Sequence, residues 1–308
     1  MTGLPVPITV HWLLITDHRH ETMNYIDLHC HTTASDGLLS PTQLVELAAE
    51  SALQTIAVTD HDSTEGLAEA LAAGERLGIE IVPGVELSCD VPAGELHMLG
   101  YYLNYDAPRF QAELQRLRTG RVGRAQGMAQ RLTDLGYPVS FERIQELAGD
   151  GAIGRPHVAQ ALIEAGHVRS KAEAFDRFIG RTGPAYVERA KLSPVEACQL
   201  IRSVGGLPVF AHPLIVLMSG RALEPLPVDE SLPELVEAGL AGLEVYYPYY
   251  TPVHIDRLLA LSRRYNLLTT GGSDFHGAGS AGVPLGSIYV PRKCLTALQD
   301  ARRVNNDQ

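Results

Sequence analysis

Eight short apolar runs, at residues 25–31, 55–59, 79–83, 96–103, 207–211, 243–247, 267–271 and 287–290, alternate with helical stretches along this chain. Short apolar strands separated by helices pair in parallel and are covered on their faces, so the pattern points to an α/β fold. Seven or eight such units suggest a barrel related to the eight-fold α/β barrel, where chemistry collects at the C-terminal ends of the strands. An open doubly wound sheet is the alternative, but no glycine-rich dinucleotide fingerprint follows the first run.

Helix starts support the alternation. Ser40-Pro41-Thr42-Gln43 reads as a capping box with proline at the first helical position. Asp62-Ser63-Thr64-Glu65 reads as the next cap, leading into an alanine-rich helix that ends near residue 77, and Ser193-Pro194-Val195-Glu196 and Thr251-Pro252 open further helices. Residues 104–205 differ from the rest, being rich in Arg, Ala, Leu and Glu at helical spacing. The expected organisation is an N-terminal extension at 1–22, a barrel built from 23–103 and 206–308, and a helical insertion at 104–205 placed as a lid beside the strand ends.

With 308 residues and 45% hydrophobic content, the chain is long enough for one substantial core plus a smaller appended unit. Its apolar runs are too short for a membrane span, and residues 1–22 lack the basic start and small-residue cleavage site of a secretory signal. Cys30, Cys89, Cys198 and Cys294 form no CxxC pair, which argues against a disulfide framework or a zinc–thiolate site and fits a cytoplasmic location. The net charge of −11 divides unevenly: residues 104–205 carry 15 Lys and Arg against 11 Asp and Glu, while the remainder carries 10 against 25. An acidic body suits cation binding, and a basic segment suits an anionic substrate.

The candidate chemistry sits where the apolar runs end. His29 and His31 are two apart, so in a strand both imidazoles point to one side and can reach one ion. Asp36 follows, then His61 after the second run, Glu86 after the third, His97 on the fourth, His212 at the end of the fifth, and Asp274 with His276 after the seventh. Gathering that many imidazoles and carboxylates is costly unless cations compensate them. Asp60 and Asp62 flank His61 and are expected to orient it or cap a helix, whereas His11, His18 and His20 are expected to be solvated. No GxSxG elbow or Walker loop competes for the catalytic role.

The runs Asp-Leu-His-Cys-His, Thr-Asp-His-Asp, Pro-Gly-Val-Glu, Ala-His-Pro and Gly-Ser-Asp-Phe-His resemble, in order, those of the polymerase and histidinol phosphatase (PHP) family of metal-dependent phosphoesterases. The resemblance implies a distorted seven-stranded β/α barrel holding up to three divalent ions, Mn first, with Fe or Zn as alternatives. It implies that His29, His31, Glu86 and Asp274 bind one ion, that Glu86, His97 and His212 bind a second, and that Asp36, His61 and His276 bind a third. A hydroxide bridging two ions, held by Glu86, His31 and Asp274, would attack phosphorus.

The insertion is expected to choose the substrate. Arg121 and Arg124 lie three apart on one helix face and suit a second phosphate, and Gly154-Arg155-Pro156-His157 is a tight basic segment, so Arg155 and His157 join the expected substrate contacts. Arg181, Tyr186 and Lys191 are weaker candidates, and His167 and His254 are expected to be structural. An insert of this length bearing Gly-Arg-Pro-His is similar to that of the family's nucleotide-processing branch. This implies removal of the 3'-phosphate from nucleoside 3',5'-bisphosphates, or 5'→3' exoribonuclease action on short 5'-phosphorylated RNA, with a histidinol-phosphatase type of activity as a further alternative. The implied partner is a small phosphorylated nucleotide; oligomeric state is not readable.

Overall fold

A computed structural model describes residues 25–91, 94–149, 151–189, 191–214, 216–218, 221–223, 227–277 and 283–306. The extension at 1–22, with its three histidines, lies outside these residues. Seven strands form one sheet in the order β1 (Tyr25–Cys30), β2 (Leu53–Val58), β3 (Glu80–Val91), β4 (Gly94–Tyr101), β5 (Leu207–Phe210), β8 (Gly242–Tyr246) and β9 (Leu268–Gly271). A separate hairpin, β6 (Val216–Met218) and β7 (Arg221–Leu223), lies between β5 and β8 in the chain. The sheet curls until its edges meet: just past β9 the Phe275 carbonyl accepts from the His31 amide at 2.9 Å, and Cys30 bridges Phe275 in parallel. The expected distorted barrel is present.

Two expectations about the strands need correction. Pairing is not wholly parallel, because β4 runs antiparallel to both β3 and β5. Only two residues separate the end of β3 from the start of β4, a length that permits a hairpin and no crossover. The eighth run, 287–290, forms no strand, since the neighbouring edge of β1 is already taken by Phe275. Those residues lead instead into α10 (Arg292–Asn306).

The helices follow their caps with one exception. Ser40 caps α1 (Pro41–Glu50), with Gln43 returning the bond, and Ser193 with Glu196 does the same for α7 (Pro194–Ser203). Helix α2 (Leu67–Leu77) starts later than expected, behind Gly66 and without a side-chain cap. Asp62 is unavailable for capping because its carboxylate is committed elsewhere, as described below.

Between β4 and β5 the chain forms α3 (Pro108–Asp134), α4 (Phe141–Ala148), α5 (Arg155–Glu164) and α6 (Lys171–Ala174), the last running into a π-turn at Phe175–Ile179, then α7. Helix α3 joins two cores. Its first half puts Phe110, Leu114 and Leu117 against the barrel cluster around Val85, Met98 and Phe210. Its second half puts Met128 and Leu132 into a separate cluster with Ile144, Leu162, Phe178 and Ile179. Helix α7 packs with the barrel strands through Cys198 and Ile201, so the insertion's own core is built from α3 through the π-turn to Ala185. The remaining helices, α8 (Val228–Glu237) and α9 (Pro252–Tyr265), cover the β8 side. Among the described residues no helix is long and apolar enough to cross a membrane.

Candidate metal centre

The nine expected ligands converge at one end of the barrel. Strand β1 delivers His29, with His31 just beyond it. Period-two alternation turns Ile26, Leu28 and Cys30 into apolar clusters and leaves the histidine face for the site. Glu86 lies within β3, not past its end as expected, because β3 continues to Val91. The β3–β4 register places Ser88 opposite His97, so Glu86, two residues back, shares that face diagonally. His97 Nδ1 accordingly stands 2.8 Å from Glu86 Oε1, and His212 Nε2 stands 3.2 Å from the same oxygen.

Three overlapping groups could each hold an ion: His29, His31, Glu86 and Asp274; His31, Asp36, His61 and His276; and His61, Glu86 and His97. In the first, His29 Nε2 and His31 Nε2 lie 3.1–3.3 Å from Glu86 Oε2 and Asp274 Oδ1. Donor atoms about 2.1 Å from a shared ion stand roughly 3.0–3.4 Å from one another, so this spacing suits a common cation. Hydrogen bonding points the same way. His29 Nε2, both ring nitrogens of His31, His61 Nδ1, Asp36 Oδ1, Glu86 Oε2 and Asp274 Oδ1 are buried without a hydrogen-bond partner. Seven orphaned polar atoms aimed at one another would be costly to bury, and divalent cations remove that cost. The donor set of imidazole and carboxylate fits such ions.

Without cations, protons on some of the imidazoles balance part of the carboxylate charge. Burial drives the His61 imidazole down to about 3. Burial opposes charge on His97 and His276 as well, but Glu86 beside the first and Asp36 beside the second hold both up to about 10. Burial likewise resists ionisation of Glu86, Asp36 and Asp274, yet the surrounding imidazoles hold all three well below the usual carboxylate range. The centre is a set of carboxylates ready to take cations.

Several residues to which the motifs gave no role hold the candidate ligands in place. Glu244, fully buried on β8, accepts from His29 Nδ1 at 2.9 Å and from the His212 amide at 2.7 Å. Asp27 accepts from the His29, Ser273 and Gly286 amides and from the Ser273 hydroxyl, tying β1 to the loop after β9. Tyr247 donates to Asp274 Oδ2 at 2.9 Å, leaving Oδ1 to face the histidines. Each of these lies in or beside an apolar strand, where a lone carboxylate or hydroxyl was the available signal. Asp60, expected to orient His61 or cap a helix, instead holds the loop that carries Asp36, accepting from the Thr32 amide and hydroxyl and from Ser35. His212 and Asp274 both adopt positive φ, at 31° and 53°, a strained backbone kept where the site needs it.

The insertion brings a cationic cluster to this rim. Arg121 and Arg124 are both buried, so neither belongs to a solvated helix face. Arg121 donates to Asp62 Oδ2 and to the Ser88 hydroxyl, each at 2.8 Å, and Arg189 also reaches Asp62 at 3.3 Å. Burial resists the Asp62 charge, but Arg121 and Arg189 hold its carboxyl below the usual range. Arg124 differs: its Nη1 is buried without a hydrogen-bond partner, and burial together with Arg189 pushes the guanidinium down to about 9, still charged at neutral pH. Arg155 reaches Glu95 at 3.4 Å, and His157 caps α5 by accepting from the Gly154 amide. Of the weaker candidates, Arg181 donates to the Val91 carbonyl, Tyr186 to Glu188, and Lys191 pairs with Glu95. His167 and His254 are structural: one meets the Pro138 carbonyl and the other caps α9 through the Thr251 amide.

A barrel whose strand ends gather imidazoles and carboxylates in this way defines a metal-dependent hydrolase. Comparison with known proteins makes the class specific. The family model for the PHP domain matches residues 27–187. A 5'-3' exoribonuclease of Haemophilus influenzae is 34% identical, over 81% of this chain and 89% of its own length. A 3',5'-nucleoside bisphosphate phosphatase of Chromobacterium violaceum is 33% identical, over 86% of this chain and 91% of its own. A phosphoribosyl 1,2-cyclic phosphate 1,2-diphosphodiesterase of Eggerthella lenta is 35% identical, over 82% and 94% respectively. Among solved structures, a protein from Bifidobacterium adolescentis described as a metal-dependent phosphoesterase superposes with a TM-score of 0.81 at 30% identity, covering 90% of this chain and 96% of its own. The chain belongs to the PHP domain family, and it is a metal-dependent phosphoesterase.

Proposed function

We propose that the enzyme removes the 3'-phosphate of nucleoside 3',5'-bisphosphates and releases nucleoside 5'-monophosphates. The observation that carries this reading is the buried guanidinium of Arg124, unpartnered at Nη1, beside Arg121 and Arg189 at the rim of the histidine–carboxylate cage. A monophosphate needs only the cage. A second dianion would account for buried positive charge in excess of its carboxylate partners. The bisphosphate phosphatase among the relatives agrees with the choice.

In this reading His29, His31, Glu86 and Asp274 hold one cation, Glu86, His97 and His212 a second, and Asp36, His61 and His276 a third. Manganese is the first choice, with iron or zinc as alternatives, since nitrogen and oxygen donors without thiolate suit all three. Bound divalent cations acidify coordinated water and polarise phosphoryl oxygens. The chain's own groups do the rest. Glu244 and Tyr247 fix the directions of His29 and Asp274, Asp60 fixes the loop carrying Asp36, and the insertion acts as a lid in which Arg124, with Arg121, Arg155 and His157 around it, anchors the 5'-phosphate.

The alternative, 5'→3' exoribonuclease action on short 5'-phosphorylated RNA, uses the same anchor and the same attack near a 3' oxygen, and the Haemophilus influenzae relative supports it. A histidinol-phosphatase type of activity leaves Arg124 without a purpose. The deciding experiment is phosphate and nucleotide release with added Mn, across nucleoside 3',5'-bisphosphates, nucleoside monophosphates, 5'-phosphorylated oligoribonucleotides and a ribose 1,2-cyclic phosphate. Preference for the bisphosphate is expected. Equal turnover of monophosphates would remove the reading, and mononucleotide release from RNA at a higher kcat/KM would replace it with the alternative.

A further inference from the structure

His97 has two ring nitrogens with different tasks. Nδ1 faces Glu86 Oε1 at 2.8 Å, inside the cage, while Nε2 points outward and meets Glu95 Oε1 at 3.5 Å. The other oxygen of Glu95 is held from the insertion, by Lys191 Nζ at 3.0 Å and Arg155 Nη2 at 3.4 Å. Lys191 is almost fully buried, and the Arg155 guanidinium lies 5.4 Å over the Phe175 ring, so neither cation is a loose surface charge. A continuous path therefore runs from the insertion through Glu95 to an imidazole of the cage.

We propose that Glu95 is a positioning residue for the metal centre: it holds the outward nitrogen of His97, and Arg155 with Lys191 hold Glu95. A ligating histidine needs its second nitrogen fixed by an acceptor, which sets tautomer and ring direction and raises basicity; Glu244 does this for His29. For His97 the acceptor is itself clamped by residues 60 and 96 positions further along the chain, so the insertion completes the metal centre as well as covering it. Arg155, expected from sequence to touch substrate, then acts through Glu95. The competing explanation is that Glu95 only neutralises the two cations.

The inference rests on His97 being a ligand, and the test separates the two. Mn binding to metal-stripped protein is measured by calorimetry, with metal content after dialysis, for wild type, His97→Ala, Glu95→Gln, Glu95→Gln/Lys191→Met and Arg155→Ala. Circular dichroism checks folding. Glu95→Gln is expected to keep the full number of ions while weakening one of them by about 10- to 100-fold. The double variant, which also removes one of the two cations that Glu95 balances, is expected to stay equally weak, and Arg155→Ala to weaken the same ion severalfold. Wild-type affinity in Glu95→Gln, or its recovery in the double variant, overturns the positioning role in favour of simple neutralisation. Unchanged binding in His97→Ala overturns the ligand assignment itself.

Discussion

Asp62 and Arg121, 59 residues apart in sequence, form a buried ion pair at 2.6 Å that fastens the insertion to the barrel beside His61. Asp62 sits at a φ of 49°, and its second oxygen accepts from the Ser88 amide. Removing one partner of such a pair leaves an uncompensated buried charge, so Asp62→Ala is expected to cost about 3–5 kcal/mol by urea unfolding. Asp62→Asn tests the charge alone. Because the folded carboxyl lies below its ordinary 3.8, the unfolded chain takes up the proton first as pH falls. The stability difference between wild type and Asp62→Asn should be full at neutral pH and close below 3.8. A difference that widens on acidification would contradict the assignment.

Arg121 is therefore a poor probe of substrate binding, since its loss would disturb the fold. Arg124 is the clean one. With Nη1 unpartnered, Arg124→Met, which keeps the buried stem and removes the charge, should leave the melting temperature unchanged or raised. It should raise KM for a nucleoside 3',5'-bisphosphate on the order of ten- to a hundred-fold, the loss expected for a charge-assisted hydrogen bond. Hydrolysis of a simple aryl phosphate should stay within about twofold by the same reasoning, as nothing in that substrate needs the anchor. Equal losses on both substrates would show that Arg124 acts on the cage instead.

The candidate ligands were legible in sequence because each belongs to a local run, such as His29 with His31, that strand geometry converts into a shared direction. Partners such as Glu244 were not, because a single glutamate in the apolar run 243–247 acquires meaning only when β8 is laid between β5 and β9 and barrel closure brings β1 round to β9. The antiparallel course of β4 was hidden by ending β3 at residue 83; extended to Val91, the strand leaves room only for a hairpin. The burial of Arg121 and Arg124 did have a signal. They continue the stripe Phe110, Leu114, Leu117 towards Met128 at three- and four-residue spacing, so they occupy core positions of α3. What the spacing could not supply was Asp62, whose position depends on the fold of the barrel.

Glu244 offers a direct test of ligand orientation. Its two oxygens hold His29 Nδ1 and the His212 amide, from β1 and from the residue just past β5, whose rings stack 5.9 Å apart. Glu244→Gln keeps the volume but places an amide donor against one of those hydrogens. Metal affinity is expected to fall about 10- to 100-fold, and added Mn should restore much of the activity. Undiminished affinity, measured by competition with a fluorescent chelator, would mean that packing alone orients the two histidines.

Closure of the barrel depends on Gly272, where a Cβ would stand 2.5 Å from the His29 amide nitrogen and 2.7 Å from Asp27 Oδ1. The first of these is backbone, which cannot swing away, so β1 and the segment after β9 must separate to admit even a methyl group. Those two segments carry His29, His31 and Asp274, and separating them widens one of the candidate ion sites. Gly272→Ala is expected to destabilise by about 1–3 kcal/mol and to lower metal affinity together with it. Gly123, exposed on α3 with nothing near its absent Cβ, is the matched control. There alanine should stabilise by up to about 1 kcal/mol through helix propensity and leave metal binding unchanged. Equal metal affinity in the two variants would break the proposed link between barrel closure and the cage.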